Sequence, residues 1–280
     1  MPEILVIGGT HGEEKPGIVL VRSLQEDEIP GVEAIIGNPA AVAAGVRSTG
    51  ENLALAYPGR WTARSYERRL ANENIRLCYA YDLVIDVHSC EAPGSHYAVI
   101  GEHTSKLVLE SIAFMGIRRL IVTRAGTHHT LYRYMPNCFG VELSSDSDLR
   151  DLRRMRKMLG ALATQPLPEQ LPEFAVFADV EDGAITEARA QALDLPDSLP
   201  QFAPLESRYA ERLGFNSDRP LYAQDWHADA GEYRGVLATN YDFSLLLQSL
   251  RTVDDCYDAD YLDKPDDSYF YDMTAGAGRL

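Results

Sequence analysis

The chain has no run of apolar residues approaching the ~20 needed to cross a bilayer, so no membrane-spanning helix is expected among its 280 residues. It also has few basic residues: 26 Lys and Arg stand against 42 Asp and Glu, a formal net charge of −16. Nucleic acid and anionic membrane are excluded as partners on that ground, because both need an electropositive face. The four cysteines, Cys78, Cys90, Cys138 and Cys256, contain no C-x-x-C pair, and buried, reduced thiols are the reading that follows. A catalytic role for Cys90, two residues after His88, finds no supporting signature around it. No G-x-G-x-x-G dinucleotide fingerprint is present. The opening Met1-Pro2-Glu3-Ile4 has neither a basic n-region nor a cleavage site, so no signal peptide is expected and a cytoplasmic location is the default.

What is present is an ordinary globular composition, 45% hydrophobic and 24% charged, able to bury a sizeable core. Short β-branched runs at Ile4–Ile7, Val32–Ile36, Leu83–Val87, Tyr97–Ile100, Leu120–Thr123 and Phe139–Leu143 read as strands. Amphipathic stretches near Gly17–Leu24, Ser65–Tyr79, Thr104–Phe114 and Ser147–Ala163 read as the helices between them. Such alternation predicts an α/β sheet covered by helices on both faces. A proline-rich stretch, Gln165-Pro166-Leu167-Pro168-Glu169-Gln170-Leu171-Pro172, reads as a boundary. The expected organisation is a catalytic domain over 1–165 and a smaller, β-rich C-terminal domain over 166–280, with strand-like runs at Phe174–Val180 and Gly235–Ala238. The Asp- and Tyr-dense segment Asp254–Asp272 reads as a solvated tail.

Three strand ends carry chemistry. The first strand runs into Gly8-Gly9-Thr10-His11-Gly12-Glu13-Glu14, and loops leaving the carboxyl ends of strands are where open α/β sheets bind ligands. His11 and Glu14 are three residues apart, a spacing that lets an imidazole and a carboxylate reach one ion as the chain enters a helix. The second strand end, Asp86-Val87-His88, places two polar residues on one face of an apolar strand, where burial without a partner is costly. The third, Gly140-Val141-Glu142, sets another carboxylate in an apolar strand. A catalytic zinc site takes three protein ligands and leaves one position open. His11, Glu14 and His88 supply such a set, and Glu142 is then free as a general base.

These motifs resemble those of the aspartoacylase/succinylglutamate desuccinylase family, a branch of the zinc carboxypeptidase-like hydrolases. The family's G-x-H-G-N-E segment appears as Gly9 to Glu14, with Glu13 in place of Asn; its D-L-H appears as Asp86 to His88, and its G-[IV]-E as Gly140 to Glu142. Asn38-Pro39-Ala40-Ala41-Val42 and the downstream Arg47 match a further family segment. The resemblance implies a zinc carboxypeptidase-like mixed sheet and one zinc per chain on His11, Glu14 and His88. It also implies Glu142 as catalytic acid/base, Arg47 as the residue that polarises the scissile carbonyl, and a small N-acyl amino acid as substrate. Asn38 and Tyr241, in Thr239-Asn240-Tyr241, fall where the family contacts substrate.

The match departs at Asn52-Leu53-Ala54-Leu55-Ala56-Tyr57-Pro58-Gly59, where the family reads D-L-N-R-x-F-P-G. Ala54 and Leu55 stand where its Asn-Arg pair grips the substrate carboxylate, so either the substrate lacks that carboxylate or another arginine supplies the contact. Arg133, Arg60 and Arg124 are the candidates, and His128-His129 reads as a loop at the pocket rim. Two alternatives stand beside deacylation: a carboxypeptidase or amidase acting on a larger or carboxylate-free substrate, and a zinc-binding module without catalysis. Co²⁺ or Ni²⁺ would occupy the same ligand geometry as zinc, and a homodimer is an open partner because small α/β enzymes are often symmetric dimers.

Overall fold

A computed structural model of the chain describes residues 1–90, 96–123, 130–144, 147–195, 202, 204–213, 221–224 and 233–251. The N-terminal part alternates β1 (Ile4–Gly8), α1 (Lys15–Glu26), β2 (Val32–Ile36), α2 (Pro39–Ala44), α3 (Tyr66–Cys78) and β3 (Leu83–Ser89). It continues through β4 (Tyr97–Gly101), α4 (Lys106–Phe114), β5 (Arg119–Thr123), α5 (Leu131–Tyr134), β6 (Cys138–Leu143) and α6 (Leu149–Thr164). The remainder comprises β7 (Ala175–Thr186), α7 (Glu187–Ala192), α8 (Ser207–Arg212), β8 (Leu221–Gln224), β9 (Tyr233–Asn240) and α9 (Phe243–Gln248).

The helix starts follow from their caps. Ser65 Oγ accepts the Arg68 N–H at the head of α3, Ser105 Oγ accepts that of Val108 at α4, and Asp148 and Asp151 form a reciprocal capping box at α6. All six strands expected before Thr164 form, as do the four expected helices. α2 and α5, of six and four residues, are too short to show a helical period.

The nine strands make one mixed sheet in the order β2-β1-β3-β6-β4-β5-β7-β9-β8. β1 lies parallel to both β2 and β3, β3 is parallel to β6, and β4 runs antiparallel to β6. β7 pairs in parallel with β5, so the sheet continues past the proline-rich stretch. Alternation along the strands divides the core between two faces. Ile4, Val6, Ile85, Val87, Val141 and Leu143 pack on one side with α1, α4 and α6. Leu5, Ile7, Val84 and Cys138 pack on the other with α3 and α5.

Two features of this topology set the site. The chain leaves β1 to reach β2 on one flank and later returns to β3 on the other, which opens a crevice at the carboxyl ends of β1 and β3. Side-chain parity then puts Asp86 and His88 on the α3 face, because both share the register of Val84. A cavity of about 670 Å³ lies on the opposite face, lined by Met115, Ile117, Val141, Leu143, Met155 and Phe174. The sheet separates it from His88. No helix among the described residues is long and apolar enough to cross a membrane, and Cys78, Cys90 and Cys138 are buried thiols outside any disulfide.

Candidate metal centre

The loop after β1 makes the site by folding tightly. Gly9 takes a φ of +71°, open to glycine at little cost. Gly12 lies so close to α2 that a Cβ there would fall 2.1 Å from the Ala41 carbonyl. Pro16 follows at the start of α1, where a missing N–H costs nothing. His11 and Glu14 are thereby held against His88 at the end of β3, and all three are buried. One donor atom from each lies within 4.8 Å of the others.

The hydrogen-bond pattern says what this centre takes. His11 Nδ1 is 2.6 Å from Glu14 Oε1, and His88 Nδ1 is 3.0 Å from Glu14 Oε2. The outer ring nitrogens face acceptors: His11 Nε2 is 2.9 Å from Asn52 Oδ1, and His88 Nε2 is 2.9 Å from Asp86 Oδ2. Asn52 Oδ1 also accepts the Ala54 N–H at 3.0 Å, which orients the amide oxygen. Asp86 has only acceptors and takes a second bond from Thr10 Oγ1 at 2.9 Å. Both imidazoles therefore carry a proton on Nε2, leaving two Nδ1 lone pairs aimed at a carboxylate. Three electron-rich donors converging in a buried place require a cation between them, either protons or a metal. The donor set fits a three-ligand zinc site with an open position. Each imidazole is backed by an oxygen.

The same convergence sets the electrostatics of the three groups. Burial opposes charge on His88, yet the Asp86 and Glu14 carboxylates outweigh it and raise its pKa well above the ordinary 6.5. Burial likewise pushes Glu14 upward, but the facing His88 and His11 imidazoles hold it well below the usual carboxylate range.

A second buried carboxylate braces the segment leading to Asn52. Glu67, on α3, accepts the Thr49 and Gly50 N–H groups and the Thr49 hydroxyl at 3.1, 3.0 and 2.7 Å, and the Glu51 N–H at 3.4 Å. Burial alone would raise its pKa; these bonds lower it below 4.5. A depressed carboxylate stabilises fully above its unfolded value and loses that contribution only as pH falls through its folded value. Amide exchange at 49–51 is therefore expected to stay slow until the medium is more acid than pH 4.5. Glu67→Gln is expected to speed that exchange at neutral pH as well.

Arg47 lies beside the triad, its Nη1 3.2 Å from Glu13 Oε1 and 3.8 Å from Glu14 Oε1, with about half its side chain exposed. Glu13, the position at which the motif differs from the family pattern, is thus the partner that holds Arg47. Glu142 pairs in register with His88 across parallel strands, about 4.8 Å away. Directly paired residues share a face, so its partly exposed carboxylate stands next to the triad.

The structure does not bring the other expected residues together in the same way. Asn38 is buried as the cap of α2, its Oδ1 accepting the Ala41 N–H at 3.1 Å. Arg60 follows Gly59 and donates its backbone N–H to Arg68 O. Arg133, on α5, lies on the same face as His88 but further along it, against Gly101 and near the Tyr134 ring. Gly101 is four residues along β4 from Tyr97, the residue that pairs with Glu142, or roughly 13 Å away. Tyr241 packs with the core of the opposite face, four strands from β6, or roughly 19 Å laterally. Arg124, His128, His129 and Asp254–Asp272 lie outside the described residues. Sequence reasoning passed over Asn52 and Glu67. Both contact partners far along the chain, and the only hint was the polar Asn52 leading an otherwise apolar run.

Residues 1–162 match the family model described as the succinylglutamate desuccinylase/aspartoacylase catalytic domain. Among solved structures, the succinylglutamate desuccinylase of Chromobacterium violaceum is similar at 17% identity and a TM-score of 0.66, over 85% of this chain and 84% of that one. Murine aminoacylase 3 is similar at 18% identity and a TM-score of 0.58, over 85% and 95% of the two chains. A product-bound ectoine utilization protein from Ruegeria pomeroyi is similar at 17% identity and a TM-score of 0.55, over 86% and 81%. At these identities the likeness shows the fold. No curated protein matches in sequence.

Proposed function

Because this chain belongs to the succinylglutamate desuccinylase/aspartoacylase family, we propose that it is a zinc-dependent hydrolase of the amide bond of a small N-acyl amino acid. The observation that carries the reading is the convergence of His11 Nδ1, Glu14 and His88 Nδ1 with both Nε2 atoms backed by oxygens. A zinc ion held by these three residues would supply Lewis acidity, lowering the pKa of a water and polarising the carbonyl.

The chain's own residues do the rest. Glu142, beside His88, takes the proton from the attacking water as its oxygen bonds to the carbonyl carbon. Arg47 donates to the carbonyl oxygen as negative charge grows there. It must exchange part of its contact with Glu13 to do so, a half-exposed pair of the kind worth little to stability. Glu142 then delivers its proton to the amine nitrogen, the C–N bond breaks, and the acid and the free amine leave. The amine is a poor leaving group until that proton arrives.

A second reading, with a larger or carboxylate-free substrate, is favoured by Leu55. This side chain is about half exposed, and it follows by three residues the Asn52 that touches His11. In the 3-10 turn Leu53–Leu55 and its cap, residues three apart lie over one another. The apolar side chain thus lies one short turn from the Asn52 that touches His11. The test is metal content followed by a substrate panel of N-acyl amino acids and carboxylate-free amides. About one zinc per chain with turnover of an acyl amino acid, both lost on chelation and restored by zinc, is the expected result. Turnover of carboxylate-free amides alone would shift the assignment to the second reading. Zinc without turnover of any member would leave a binding module.

A further inference from the structure

The two imidazoles of the triad are backed unequally. Behind His88 stands a carboxylate, Asp86, which is buried and accepts the Nε2 proton at 2.9 Å. Behind His11 stands a neutral amide, Asn52, at the same distance. Asn52 comes from 41 residues further along the chain. It also caps the turn Leu53–Leu55, its one oxygen accepting both the ring N–H and the Ala54 N–H. The residues just before it are the ones gripped by Glu67. A braced loop therefore delivers a single acceptor to the outer nitrogen of one metal donor.

We infer that Asn52 is the positioning residue for His11, and that its neutrality makes His11 the weaker and more readily released of the two imidazole donors; the inference rests on the zinc reading above. The first part follows from tautomer chemistry. An imidazole binds metal through one nitrogen when the other holds its proton against an acceptor. Without Asn52, His11 would be free to place its proton on Nδ1, or to rotate, and either removes the lone pair from the triad. The second part follows from charge. Hydrogen bonds to an ionised acceptor are roughly twice as strong as neutral ones, and a carboxylate behind the ring raises its basicity as an amide does not. Glu13, Glu14, Asp86 and Glu142 already crowd the place with acids. An amide at 52 orients the ring without adding another.

The test is zinc affinity of the full chain by chelator competition, for the wild type, Asn52→Ser and Asn52→Asp. Serine still caps the turn but is too short to reach the ring, whereas aspartate does both. Asn52→Ser is expected to weaken zinc binding by about 10–100-fold, and Asn52→Asp to bind more tightly than the wild type. Thermal melting of the metal-free variants confirms that each is folded. Nitrogen-15 spectra of the zinc-loaded wild type are expected to show His11 protonated at Nε2, with that signal lost in Asn52→Ser. Wild-type affinity in Asn52→Ser would overturn the positioning role, even though the metal site itself stood. Asn52→Asp binding no more tightly than the wild type would overturn the part assigned to neutrality. A wild type that takes up no zinc would instead sink the metal reading, and this inference with it.

Discussion

Glu142→Gln is expected to lower kcat by about 10²–10⁴-fold, the range a positioned general acid/base contributes, while zinc content stays near one per chain. The amide keeps the shape of the side chain, so β6 and its register with His88 should be undisturbed. It cannot take the proton of the attacking water, nor return one to the leaving nitrogen. KM should move little, because Glu142 is not asked to hold the substrate. The measurement is steady-state kinetics beside elemental analysis on the same preparation. A variant that loses its zinc together with its activity would make Glu142 a ligand. One that keeps full activity would remove it from the chemistry.

The second large effect belongs to Glu14. Its carboxylate touches both imidazoles, at 2.6 and 3.0 Å, and lies buried. Glu14→Ala is expected to cost more than about 100-fold in zinc affinity, beyond what losing a residue behind the ligands costs. The charge that offsets the metal's desolvation would then be gone. Activity at limiting zinc should disappear with it. Calorimetric titration of the metal-free variant checks the size. Wild-type affinity in Glu14→Ala would show that the ion is held elsewhere.

The convergence of the three candidate donors was legible because its cues are local. His11 and Glu14 lie within one turn after a strand, and His88 and Asp86 share a face by the two-residue period of an extended chain. The face of the candidate site followed from the same parity, since Glu142 shares the register of His88. Asn52 and Glu67 were not legible, because their contacts span 41 and about 17 residues and are made by loop closure rather than by any period. Tyr241 illustrates the limit of matching by position along the chain. It follows β9 at the right sequence distance, yet strand parity and four intervening spacings set it on the other face. The proline-rich stretch reads in the sequence as a boundary, and the hydrogen bonding of β7 to β5 carries the sheet across it. Among short elements, α2 and α5 are made by tertiary packing on the sheet, for which a four- to six-residue sequence holds no period.

Zinc-edge X-ray absorption of the loaded wild type tests directly whether His11, Glu14 and His88 hold the metal. The expected spectrum has a nitrogen and oxygen shell near 2.0–2.1 Å, with the multiple scattering of two imidazoles. One imidazole should be lost in His88→Ala. A sulfur shell near 2.3 Å, or a spectrum carrying no imidazole signature, would contradict the assignment of the metal to His11, Glu14 and His88.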